Sequence, residues 1–131
     1  VLCCAGTGCT SSGSEAIVNE LESQLKANGL DKEIKINAVS KVEDAKFAFK
    51  TIDVYNVNEI DNASQLKLGT VNEVGGKAAF KYVITAINLA LENKVHGTVT
   101  NAISKEAINL AGYHFSGHTE IYSHYTNTKK Y

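Results

Sequence analysis

Proline, methionine, tryptophan and arginine are all missing from the 131 residues, so the 13 basic side chains are all lysine. Average usage would place about six prolines in a chain of this size. Joint loss of proline and arginine is therefore not ordinary sampling. With no initiator methionine either, the chain reads as processed, truncated, rebuilt or designed. No basic run of five or more residues occurs, and the net charge is -1, which excludes an electrostatic footprint for nucleic acid. No apolar run approaches the roughly 20 residues needed to cross a bilayer. No charged leader followed by a long apolar segment opens the chain. The expectation is a cytoplasmic protein with no membrane and no nucleic-acid partner. The three cysteines, Cys3, Cys4 and Cys9, all lie in the first nine residues, which is no disulfide framework. They leave any metal or iron–sulfur site about two soft ligands short.

What is present alternates between strand and helix signals, as one α/β domain over residues 1–131 would. Val1 to Cys4 is apolar and runs into a glycine-rich turn, the pattern of a buried first strand. Ser12 to Glu15 has the spacing of a capping box. Ile17, Val18, Leu21 and Leu25 then form one apolar stripe, closed by Asn28-Gly29. Glu33 to Asn37 alternates as a strand, completing a βαβ unit. From Ser40 to Phe49 helical spacing and irregular chain are both open. Thr51 to Val57 reads as a strand and 58–72 as a loop. Gly75-Gly76 opens the strongest helix, whose stripe of Phe80, Val83, Ile84, Ile87 and Leu91 is expected to face a sheet and to end at Asn93-Lys94. Val95 to Thr100 is expected as the next strand. A short helix starts near Ser104, and a last turn or two spans Ile121 to Tyr125.

The chemistry concentrates between Thr98 and Thr119. Thr100, Asn101, Ser104 and Lys105 occupy a strand-to-helix turn, where free N–H groups and the helix dipole attract anions. Lys105 adds a full charge, and His118 and Thr119 add donors one loop later. A phosphate or carboxylate suits such a set. The plainer reading is that Ser104 only caps its helix and Lys105 is solvated. His96 is expected near the surface, His114 in the glycine loop and His124 on a helix. His114 and His118 have metal-ligand spacing only on a continuous helix, and Gly112 and Gly117 argue for loop. Asp53 and Glu59 have no recognisable acid/base partner.

The stretch LAGYHFSGHTEIYSHYTNTKKY resembles the LAGxxxPGHTExLAExTGTxxY segment of 4-hydroxythreonine-4-phosphate dehydrogenase, the PdxA family. GKAAFKYVITAINLALENKVHGTVTNAISKEAINLAG resembles that family's preceding helix, strand and T-A-P-I-N-K-E-A turn, so the likeness runs from about Ile36 to Tyr131. It implies a partial isocitrate/isopropylmalate dehydrogenase-like α/β/α unit, a parallel or mixed sheet flanked by helices. It also implies NAD and a divalent metal as cofactors, a phosphorylated hydroxy-amino acid as substrate, and a homodimer. By position the substrate contacts fall on His118 and Thr119, with Ser104 and Lys105 assisting. The family's metal-binding histidines and its G-D-P-x-G-I-G-P motif have no counterpart here. Asn101, Ala102 and Ser116 stand where the family has alanine, proline and proline, which loosens two loops. The resemblance therefore implies an incomplete site, inactive alone.

Residues 1–37 resemble something else, the start of the thioredoxin-like 2Fe–2S domain of NADH dehydrogenase and hydrogenase flavoprotein subunits. There the first two thiolates correspond to Cys4 and Cys9, and the second pair has no counterpart. They would form an orphan iron–sulfur half-site; the simpler reading is small buried or reactive thiols. Two alternatives to the dehydrogenase thus stand: an electron-transfer module, and a non-catalytic truncated or designed domain.

Overall fold

The computed structural model describes residues 14–57, 59–60, 66 and 69–129. The expected first strand, the Ser12 end of the capping box and Cys3, Cys4 and Cys9 lie outside the described residues. Helix α1, Ser14–Ala27, is followed by strands β1, Lys35–Val39, and β2, Thr51–Tyr55. Helices α2, Glu73–Leu91, α3, Lys105–Leu110, and α4, His118–Tyr125, complete the order. Leu21 and Leu25 are half-buried, and α1 lies against β1. The four described α-helices end alike: Gly29, Asn93, Gly112 and Asn127 take positive φ. The residue after each donates back five positions, as in Leu30 N–H to the Leu25 carbonyl at 2.8 Å and Tyr113 N–H to that of Ile108 at 2.9 Å. This is the Schellman closure, which satisfies carbonyls the helix leaves bare.

Strands β1 and β2 pair in parallel, with Asn37 opposite Asp53. The connection between them, residues 40–50, is a single 3-10 turn, Val42–Asp44, followed by irregular chain. Of the two readings open for this segment, the irregular one holds. Asp53 makes the short crossover workable. It is buried, and its carboxylate accepts from Asn37 Nδ2 at 2.6 Å and from the N–H groups of Lys46 and Phe47 at 3.1 and 2.9 Å. One side chain thereby joins both strands and the turn carrying Phe47 and Lys50, which both have positive φ. The hydrogen bond from Asn37, then those from Lys46 and Phe47, hold the carboxyl below its ordinary pKa.

A carboxyl with a depressed folded pKa adds stability above its unfolded pKa of about 3.9 and loses it as pH falls through the folded value. Asp53→Asn is expected to lower the melting temperature by several degrees above pH 4. The gap to the native chain should close in stronger acid. Thermal melts across the acid range check this.

Helix α2 starts two residues before the glycine pair, because the Asn72 side chain accepts from Gly75 N–H at 2.7 Å and caps it. Phe80, Val83 and Ile87 are buried as expected, Ile84 is half-buried, and Leu91 is exposed. Among the described residues the stripe is covered by helices and the 60 segment, and no strand residue belongs to its cluster. It packs with Ile60, Ile108 of α3 and Ile121 of α4, and Phe80 stacks on Tyr113 with ring centroids 3.8 Å apart. The sheet expected beneath it was to include 95–100, and that segment is not a strand. Among the described residues no strand pairs with it, and Val99 is 93% exposed. A strand needs a hydrogen-bonded neighbour whatever its propensity. Tyr122 Oη instead donates to Thr98 Oγ1 at 2.7 Å, tying this extended stretch to α4.

Gly76 sets the distance between α2 and α3. A Cβ there would stand 1.9 Å from the carbonyl oxygen of Ala107 and 2.9 Å from the nitrogen of Ile108. Only glycine lets the two backbones meet so closely. The helix that carries Lys105 is positioned by that contact.

Candidate functional site

Helix α3 begins as its sequence suggests. Ser104 is the N-cap, and its Oγ accepts from Ala107 N–H at 3.2 Å. Ser104 also lines an open cleft of about 220 Å³ with Ile103, Ala107 and the 69–72 turn, a lining that includes neither His118 nor Thr119. The plainer reading of Ser104 as a cap is therefore realised, with the hydroxyl proton still available to the cleft. Ser104→Ala is expected to cost about 1 kcal/mol, the usual worth of such a cap. Urea denaturation measures it.

Lys105, the first residue of α3, is exposed. Its Cε lies 3.9 Å from where a Cβ on Gly117 would sit, so its stem runs beside the residue preceding His118. The structure thus brings Lys105 to the start of α4. That helix begins at His118, three residues earlier than expected, so His118 and Thr119 occupy its first turn rather than a loop. The cause is Glu120, the third helical residue, whose Oε2 accepts Ser116 N–H at 2.7 Å. Its carboxyl is held below the ordinary range by the Ser116 N–H and hydroxyl, with a further contribution from Lys105's charge. An acidic residue three places past Gly117 is the signal that marks this start.

His118 is the unusual member. Its Nε2 is shielded from solvent and has no hydrogen-bond partner. Burial pushes its pKa down, so the imidazole is neutral near pH 7. Thr119 beside it is exposed. His114 is exposed in the loop and off the helix, His124 is on α4 and His96 is exposed, as expected. The His114–His118 pair accordingly lacks the continuous helix a metal signature needs. No group of three His, Cys, Asp or Glu able to hold a metal occurs among the described residues.

A small parallel sheet flanked by helices, with a Gly-His-Thr-Glu turn opening a helix beside a lysine, defines an α/β segment with its polar groups gathered at a helix start. Comparison with known proteins narrows the class. The family model described as "Pyridoxal phosphate biosynthetic protein PdxA" matches residues 9–131, and the chain belongs to that family. It is 35% identical over 96 residues to a Clostridium botulinum protein provisionally named a D-threonate 4-phosphate dehydrogenase, covering 73% of this chain and 28% of that one. With D-threonate 4-phosphate dehydrogenase of Salmonella typhimurium it shares 32% over 108 residues, 82% of this chain and 33% of the other. The fold superposes with a TM-score of 0.75 on a Salmonella typhimurium structure provisionally assigned as a 4-hydroxythreonine-4-phosphate dehydrogenase, at 30% identity over 90% of this chain and 35% of that one. The chain thus spans about a third of the relatives it matches.

The family match corrects the reading of the first third. It starts at residue 9 and runs through α1 and β1, the segment set against an iron–sulfur domain. That likeness rested on two thiols in a glycine-rich strand-to-helix turn, a local pattern that many α/β folds share. It gains no support here. Of the described helices, none is long and apolar enough to cross a membrane.

Proposed function

We propose that this chain forms the substrate-holding segment of a PdxA-family dehydrogenase acting on a phosphorylated hydroxy acid. The observation that carries it is His118, whose shielded Nε2 is left without a partner at the first turn of α4, beside Lys105. A buried polar atom without a hydrogen bond costs free energy, and a bound ligand is a common reason for its retention. D-threonate 4-phosphate and 4-hydroxythreonine 4-phosphate, named in the relatives, share a phosphate ester, a carboxylate and a hydroxyl. Lys105 suits the anionic end, and neutral His118 with Thr119 suits the hydroxyl as donor and acceptor.

The cofactors implied by family membership, NAD and a divalent metal, do not fit the described residues by themselves. No group of three His, Cys, Asp or Glu side chains able to hold a metal is available among them. No step is assigned to either. The chain's own part is to bind and orient the substrate, within one continuous family segment rather than a junction near residue 37, and in a homodimer.

Calorimetry with D-threonate 4-phosphate tests the reading. Lys105→Gln is expected to weaken binding about tenfold through loss of a charge-assisted contact. Equal heats from the native chain and His118→Ala would remove the substrate site. Sedimentation that shows a monomer would remove the homodimer.

A further inference from the structure

The 116–120 turn carries an inference that rests on the proposed function and sharpens it. Gly117 enters α4 in an extended conformation, φ 160° and ψ -172°, with no side-chain cap of its own. The entry of the chain is set instead by Glu120, which reaches back over the turn to the Ser116 N–H. His118 lies between these two anchored points, so the peptide that aims its ring is held from both sides. The Lys105 stem, from the start of α3, runs beside Gly117 of this turn.

We infer that Glu120 is the positioning residue of the site, pinning the Ser116 N–H to aim His118. Pinning needs an acceptor oxygen, which glutamine also has and alanine lacks. What the side chain contributes is an imidazole fixed before the substrate arrives.

Two substitutions separate the anchor from the charge. Glu120→Gln keeps the anchor and removes the charge. It is expected to leave the His118 ring nitrogen signals in NMR unchanged and to bind D-threonate 4-phosphate about as tightly as the native chain. Glu120→Ala removes both. It is expected to shift those ring signals and to weaken binding about tenfold, the scale of a lost charged hydrogen bond. A purely structural role would lower the melting temperature of both variants without this division, and the dispersion of the amide spectrum shows that each is folded. The inference is overturned if Glu120→Ala leaves the ring signals and the affinity unaltered, or if Glu120→Gln loses as much as Glu120→Ala. Should the native chain not bind the probe, the substrate reading fails, while the ring signals still decide whether Glu120 aims His118.

Discussion

Gly76→Ala is expected to be the most damaging single methyl group that can be added to the described core. The new Cβ would lie 1.9 Å from the Ala107 carbonyl oxygen and 2.3 Å from its carbon, where non-bonded atoms need about 3.5 Å. Both obstructing atoms are backbone, so no rotamer relieves the overlap. Helices α2 and α3 must separate, and Ile108, fully buried in that interface, would lose its packing. The expected loss is about 3 kcal/mol, the upper end for overpacking, which is a fall in melting temperature on the order of 10 °C. Gly75→Ala is the control. Its Cβ would meet the capping oxygen of Asn72 at 3.2 Å, a side-chain contact that a shift of a few tenths of an ångström relieves, and helix propensity gains up to about 1 kcal/mol. A melting temperature within a few degrees of native is expected there. Equal behaviour of the two variants would show that the α2–α3 contact is looser than described.

His118→Leu is expected to separate stability from binding. Leucine fills a similar volume and removes the shielded nitrogen that has no partner. Relief of that penalty raises stability by about 1 kcal/mol, toward the low end because the ring is only partly buried. Binding of the phosphorylated acid should fall about thirtyfold, some 2 kcal/mol. The pH dependence adds an independent sign. Burial lowers the folded pKa of His118, so between that value and the unfolded value of about 6.5 the unfolded chain takes up more protons. Native stability therefore declines as pH falls below about 6.5, and the leucine variant lacks this contribution. The stability gap in favour of the variant should widen with acid. A gap that is constant with pH would mean the imidazole is not desolvated.

Much of the architecture was legible because helix ends are written in local chemistry. Asn28-Gly29, Asn93-Lys94 and Ser104 each marked a terminus through a donor, an acceptor or a tolerated φ, and none depends on distant residues. Residues 95–100 were not legible for the opposite reason. Their composition suits a strand, but pairing is supplied by a neighbour that sequence spacing does not name. The stripe on α2 announced burial, and among the described residues its cover comes from α3, α4 and Ile60, partners that spacing along one helix does not name. Asp53 was passed over because its partners are two backbone N–H groups and an amide on another strand, invisible to a search for charged pairs. At the site, Lys105 and His118 were both candidates from sequence. Only the fold shows that Lys105 runs beside Gly117, the residue before His118, and that Ser104's oxygen is engaged in a cap.

The Phe80–Tyr113 stack gives this tryptophan-free chain an optical signature. The two rings lie within 11° of parallel, joining the middle of the core to the loop that leads into α4. Tyrosine held in so asymmetric a setting contributes near-ultraviolet circular dichroism, with no indole band to mask it. That signal disappears when side chains lose their fixed packing, even where helices persist in the far ultraviolet. A single spectrum can therefore tell a loosened core from an unfolded chain. The same band would report whether Gly76→Ala leaves a collapsed set of helices or none.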